Sequence, residues 1–91
     1  MVRVSVKMFA TVREAAGVPS IQLEADDIED LFRKLGESLG PKLSRLLDEA
    51  VSDPERLVIL LNGRNLARSR AHPLRLTDND EVAIFPPVSG G

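Results

Sequence analysis

The sequence predicts an α+β domain: a mixed sheet crossed on one face by one main helix, with a second short helix beside it. Three observations carry that prediction. A strand of period two opens the chain, a helical stripe runs from Ile28 to Leu39, and strand patterning returns in the last third. With 91 residues and 43% apolar side chains, the chain fits one domain built around a single hydrophobic core.

Val2, Val4, Val6 and Met8 are apolar while Arg3, Ser5 and Lys7 are polar, the alternation of a strand with one buried face. A turn-rich stretch ending in Gly17-Val18-Pro19 follows. Ile21 and Leu23 then alternate with Ser20, Gln22 and Glu24, so the two strands read as an antiparallel hairpin with a long loop. After Asp27 the period changes to that of a helix, with Ile28, Leu31, Phe32, Leu35 and Leu39 on one stripe. Asp27 is the expected N-cap, and Asp30 adds negative charge at the positive end of the helix dipole. Gly36 weakens the interior by ~1 kcal/mol relative to Ala. Gly40 stops the helix, and Pro41 opens a second with Leu43, Leu46, Leu47 and Ala50 on one face, ending at Ser52-Asp53-Pro54.

The unbroken apolar run Leu57 to Leu61 fits a strand covered on both faces, or a central strand under a helix. Asn62-Gly63 is a hairpin turn signal, and a short edge strand is expected near Arg64 to Leu66. Leu74 and Leu76 read as a minor element, Thr77 to Asp80 as a turn, and Val82 to Phe85 as the last strand. If the first and last strands are neighbours they run parallel, because the hairpins set the other directions. That is the ubiquitin-like β-grasp arrangement, with residues 1–85 as the domain and 86–91 as a flexible functional tail.

Composition narrows the function. Twelve basic against 14 acidic residues give a net charge of −2, and the aromatics are Phe9, Phe32 and Phe85 alone. Neither the basic excess nor the stacking platform of a nucleic-acid binder is present. The absence of cysteine excludes disulfides, thiolate nucleophiles and Cys-ligated zinc. The longest aliphatic run is far short of the ~20 residues that span a bilayer. The start, broken by Arg3 and Lys7, does not read as a signal peptide, so a cytoplasmic location with no membrane partner is expected.

No group in the body reads as catalytic. His72, the single histidine, precedes Pro73 in a polar stretch, which leaves little for a triad or a metal site. Glu24, Asp26, Asp27, Glu29 and Asp30 cluster where a helix starts, and dipole complementarity explains them better than a metal. Arg64, Arg68, Arg70 and Arg75 form a basic stretch that reads as a solvated face or as a dock for an acidic partner. Phe9, just past the first strand, reads equally as core or as an exposed anchor.

The tail differs from an ordinary terminus. Pro86 and Pro87 favour an extended course, and Gly90 and Gly91 present a carboxylate with no Cβ beside it. The six residues after Phe85 reach about 20 Å at ~3.3–3.6 Å each, enough to enter a partner's active site. A carboxylate resists nucleophiles until its oxygen becomes a leaving group. Activation by ATP to an acyl-adenylate achieves this, after which sulfide or an amine attacks Gly91.

The segments VKMFATVREAAG (Val6 to Gly17), VILLNGR (Val58 to Arg64) and LTDNDEVAIFPPVSGG (Leu76 to Gly91) resemble the MoaD family, the small sulfur-carrier subunits of molybdopterin synthase, in the ubiquitin-like MoaD/ThiS superfamily. The resemblance runs end to end in the same order. It departs where the family's common Asp-Gly-Asp is Asp78-Asn79-Asp80, and where the 40–56 segment exceeds the minimal pattern. The resemblance implies a carrier with no bound cofactor, whose Gly91 is adenylated with ATP by a ubiquitin-activating-type enzyme and converted to a thiocarboxylate. The large synthase subunit then accepts the tail, and sulfur passes to a cyclic pyranopterin precursor of molybdopterin. Phe85, Pro86, Pro87, Val88, Ser89 and Gly90 would line the insertion channel, with Phe9 and Arg13 as interface candidates. The same chemistry would serve tRNA thiolation, the thiamin thiazole, or attachment to protein lysines as a ubiquitin-like modifier.

Overall fold

The alternation at the start of the chain becomes β1 (Val2–Met8), which turns Val4, Val6 and Met8 into the core. The computed structural model describes residues 1–53, 56–65 and 75–87, the side chains of residues 51 and 52 excepted. A helix, α1 (Ala10–Ala16), fills the expected loop, and β2 (Ser20–Ala25) then pairs antiparallel with β1 from Val2↔Ala25 to Lys7↔Ser20. Next come α2 (Ile28–Leu39), α3 (Pro41–Ser52), β3 (Val58–Leu61), the two-residue β4 (Arg64–Asn65) and β5 (Asp80–Phe85). The described strands form one sheet in the order β2-β1-β5-β3-β4, with β1 and β5 parallel at its centre. This is the β-grasp arrangement. Leu66 and Leu74 lie outside the described residues; Leu76 is buried.

α1 is the element that the alternation did not reveal. Its cap residue, Phe9, makes no side-chain cap bond, and seven residues are too few to display a period. What holds it is burial of Val12 and Ala16, four apart on one face, and the left-handed Gly17 whose N–H bonds the Arg13 carbonyl at 2.9 Å. α3 keeps the bounds expected for the second helix, although its 12 residues make it as long as α2 and not short. β3 is interior to the sheet, yet all four of its residues are only half-buried. The described helices explain why: α2 packs on β2, α1 on β1 and β5, and α3 on α2 and α1. Their mass sits over the other half of the sheet.

The start of α2 follows its sequence signals. Asp27 Oδ1 accepts the Asp30 N–H at 2.8 Å, and Asp30 Oδ2 accepts the Asp26 N–H at 3.0 Å. The Asp26 N–H, more than the ammonium and guanidinium of Lys34 and Arg33, lowers the Asp30 pKa to about 2 against the opposing effect of desolvation. The acidic cluster therefore serves the helix end.

Gly36 has a packing reason that outweighs its poor propensity. A Cβ at this position would lie 2.9 Å from both Ser44 Cβ and Oγ and 3.3 Å from Ser44 Cα, so α2 and α3 cross closely at Gly36 and Ser44. Leu31, Leu35, Leu43 and Leu47 join the same core. Gly36→Ala is expected to destabilise the fold by about 1–3 kcal/mol in urea titrations, despite the gain of ~1 kcal/mol in helix propensity. Adding Ser44→Gly should recover part of the loss, and a net gain from Gly36→Ala alone would refute the close crossing.

At the start of β5, Asp80 clasps two turns. Its carboxylate accepts the Thr77 N–H at 2.7 Å, the Thr77 hydroxyl at 2.8 Å and the Asn62 side-chain N–H at 2.8 Å. Asn62 Oδ1 in turn accepts the Glu81 N–H at 2.9 Å. Asn62 and Gly63, both at positive φ, make the two-residue turn between β3 and β4, and Asn79 adopts the left-handed conformation in the neighbouring turn. Desolvation pushes the Asp80 carboxyl up, but hydrogen bonds from Thr77 and Asn62 outweigh it, and the pKa lies below its ordinary value. A group depressed in this way stabilises the fold fully above its unfolded pKa, ~3.9, and loses that contribution as pH falls through the folded value. Asp80→Asn should cost about 1–3 kcal/mol at neutral pH, and the gap from wild type should narrow in urea titrations below pH ~4.

Candidate functional site

The parallel pairing of β1 with β5 brings their carboxyl ends together at one rim of the sheet. The register runs to Met8↔Ile84, and the Phe9 N–H continues it by donating to the Ile84 carbonyl at 3.1 Å. The next residues, Phe9 and Phe85, meet edge to face with ring centroids 6.0 Å apart and planes at 83°. Phe9 is 47% exposed, Phe85 and Pro86 are half-buried, and Pro87 is exposed. Phe9 is thus an exposed rim residue and not a core residue. Ala10, at φ 53, turns the chain from this rim into α1.

Arg13 lies one turn along α1, exposed, beside a shallow depression that it lines with Ala10, Glu14, Gly17, Val18 and Pro19. The structure gathers Phe9, Arg13, Phe85, Pro86 and Pro87 around the exit of β5. Val88, Ser89, Gly90 and Gly91 lie outside the described residues, as do His72, Arg68 and Arg70. Arg64 is exposed on β4, and Arg75, also exposed, forms an isolated bridge with Asp27.

Three further residues join the rim that the sequence pattern did not single out. The pairings Val58↔Phe85 and Leu60↔Ala83 put Val58, Leu60 and Ala83 on the sheet face of Phe85, opposite the face that carries Val82 and Ile84 into the core. All are half-buried. The signal was present in the all-apolar run Val58 to Leu61: Ile59 and Leu61 pack against the core, which leaves Val58 and Leu60 apolar on the other face. Toward β1 this open face turns polar, with Lys7 and Glu81 ion-paired at 3.1 Å and Ser5 and Gln22 paired across β1 and β2. The open face is therefore graded, apolar where the tail leaves and polar toward β2.

Fold and rim together define a small ubiquitin-like β-grasp protein with an apolar sheet face where β5 ends. Comparison with known proteins sharpens that class. Residues 6–91 match the ThiS family, and the chain belongs to it as a sulfur carrier of the ThiS/MoaD type. It is 34% identical over 88 residues to small archaeal modifier protein 3 of Haloferax volcanii, covering 93% of this chain and 95% of that protein. It is also 34% identical over 95 residues to the molybdopterin synthase sulfur carrier subunit of Escherichia coli, covering 97% and 99%. Among solved structures, the small archaeal modifier protein 1 of Methanosarcina acetivorans superposes with a TM-score of 0.74 at 32% identity, over 100% of this chain and 98% of that one. A chain of the complex of subunits 1 and 2 of the molybdopterin-converting factor from Helicobacter pylori superposes at 0.66 with 25% identity, over 98% of this chain and 99% of that one.

Because Phe9 is exposed and outside the buried cluster, Phe9→Ala is expected to cost no more than the ~0.5–1.5 kcal/mol of an aromatic pair. Ile84→Ala, in the core one residue before the rim, should cost ~2–5 kcal/mol in the same urea titration. Similar losses from both would refute the assignment of Phe9 to the rim.

Proposed function

We propose that this chain carries sulfur to molybdopterin, working in the cytoplasm on its own C-terminal carboxyl group. The observation that supports this reading best is the exit of β5 between Phe9 and an apolar sheet face, at the point where the uncharged FPPVSGG segment begins. The partners of this reading are two: an adenylating enzyme of the ubiquitin-activating type and the large subunit of molybdopterin synthase. The H. pylori complex of subunits 1 and 2 favours the second of these.

In the first step the Gly91 carboxylate attacks the α-phosphorus of ATP held by the adenylating enzyme, and pyrophosphate leaves. A sulfide equivalent then attacks the terminal carbonyl and expels AMP, which leaves a thiocarboxylate. On the large subunit that sulfur bonds to the cyclic pyranopterin precursor, and water cleaves the acyl carbon–sulfur bond, which restores the carboxylate for another round. The chain's own part is positional. Phe85 and Pro86 set the direction of the tail, Pro87 to Gly90 pass through the channel, and Phe9 and Arg13 meet the partner's surface. The body needs no cofactor for this chemistry.

A second reading, a ubiquitin-like modifier joined through Gly91 to lysines, is favoured by the similarity to the H. volcanii modifier protein. Carriage of sulfur to thiolated tRNA or to the thiamin thiazole uses the same terminus and differs only in the acceptor. Incubation with the adenylating enzyme, ATP and a sulfur source is expected to raise the intact mass by one oxygen-to-sulfur exchange at Gly91. Deleting Gly90 and Gly91 should abolish the shift, while an unchanged mass with active enzyme refutes the proposal. Adding the large subunit and precursor should then produce the dithiolene; lysine adducts on other proteins without dithiolene would support the modifier reading.

A further inference from the structure

Asn62-Gly63 combines a turn with a chemical vulnerability. In an Asn-Gly pair the following backbone nitrogen can attack the side-chain carbonyl carbon, because glycine places no Cβ in the way. Here a Cβ on Gly63 would meet nothing within 4 Å, so the surroundings add no steric shield. What does restrain Asn62 is the clasp. Its Nδ2 donates to Asp80 Oδ1 at 2.8 Å, its Oδ1 accepts the Glu81 N–H at 2.9 Å, and its own N–H bonds the Glu81 carbonyl at 2.8 Å. Swinging the amide toward the Gly63 nitrogen breaks both side-chain bonds.

We infer that Asn62 is a deamidation site whose rate is set by opening of the Asp80 clasp. In the open state the Gly63 nitrogen bonds to Asn62 Cγ, the Cγ–Nδ2 bond breaks, and ammonia leaves as the nitrogen loses its proton. Water then opens the resulting succinimide at either carbonyl, giving an aspartyl or an isoaspartyl residue. Either product replaces the donor that faced Asp80 with a second carboxylate. Two like charges then share a site built for a donor and an acceptor, so the modification holds open the clasp that had prevented it. The change joins the hairpin turn to the start of β5, the strand whose far end carries the tail.

The folded full-length chain is incubated in mildly alkaline buffer, and deamidation at Asn62 is followed by peptide mass spectrometry with isoaspartate detection. The same chain unfolded in urea gives the unrestrained rate. Thr77→Ala removes one hydrogen bond to Asp80 without touching Asn62, and should accelerate deamidation of the folded chain roughly fivefold or more. Thr77→Ser, which keeps the hydroxyl, should restore the wild-type rate. Gly36→Ala, which weakens the remote helix crossing, serves as the control for general instability and should leave the rate near wild type. Equal rates in folded and unfolded wild type, or equal acceleration by Thr77→Ala and Gly36→Ala, would overturn control by the clasp. Absence of deamidation in the unfolded chain would overturn the site itself. Asn62→Asp, the direct product, should unfold at a lower urea concentration than wild type, and an unchanged midpoint would overturn the consequence assigned to it.

Discussion

The parallel hydrogen-bonded pairing of β1 with β5 is the constraint on which the rest of this structure depends. Parallel neighbours cannot be joined by a tight turn; the chain has to travel back outside the sheet before it re-enters beside its own beginning. β2, α2, α3 and the β3–β4 hairpin make that journey, and the helices cover the inner face of the strands they leave. Parallelism also decides which residues meet. Whatever follows β1 lies beside whatever follows β5, so Phe9 and α1 become neighbours of the end of β5 although some 75 residues of sequence separate Phe9 from Phe85.

β5 is held at both ends by different physics. At its start, Asp80 gathers Thr77 and Asn62, and Arg3 N–H bonds Asp78 while Asn79 N–H bonds the Arg3 carbonyl, which ties the turn to β1. At its end, contact is apolar: Phe85 against Phe9, with Val58 opposite it on β3. A tail that must enter a partner needs a fixed point of departure, because freedom upstream would be lost again on docking at an entropic cost. The clasp and the aromatic pair restrict that freedom before any partner arrives. Polar satisfaction supports the same conclusion, since no buried side-chain nitrogen or oxygen among the described residues lacks a hydrogen-bond partner.

Legibility in the sequence tracked the length and strength of each pattern. The alternation of Val2 to Met8 and the stripe of α2 repeat often enough to read, and Asp27, Pro41 and Asn62-Gly63 mark ends through chemistry that acts within three residues. α1 escaped because its two buried residues, Val12 and Ala16, give one spacing and no period, and because its N-terminal cap uses no polar side chain. α3 was legible at both ends, from Pro41 at its first position and Ser52-Asp53-Pro54 at its stop, while Leu43, Leu47 and Ala50 mark its inner face. In the site, Phe85 and Pro86 were legible as part of the tail. Phe9 was ambiguous for a sound reason: whether an aromatic after a strand is core or rim depends on the strand beside it, and that pairing is non-local. The role of Val58 and Leu60 depends on the same register, so it too emerged only from the pairing with β5.

On the proposed reading, a sulfur carrier without cysteine places its sulfur on the Gly91 carboxyl, and this would shape the body as much as the tail. Docking has to hold the carrier long enough for chemistry at the terminus and then release it. Complete burial of a large apolar side chain is worth ~1.5–3 kcal/mol, and Val58, Leu60 and Phe85 are already half-buried in the free chain. Finishing their burial supplies only a few kcal/mol, against an association cost of ~4–15 kcal/mol. The sheet face alone is therefore too weak to form a lasting complex. On the same reading the remainder would come from the tail, whose chemical state would change at each step of the reaction. A body that binds weakly and a terminus that binds according to its chemistry would together let one small domain be loaded on one protein and emptied on another.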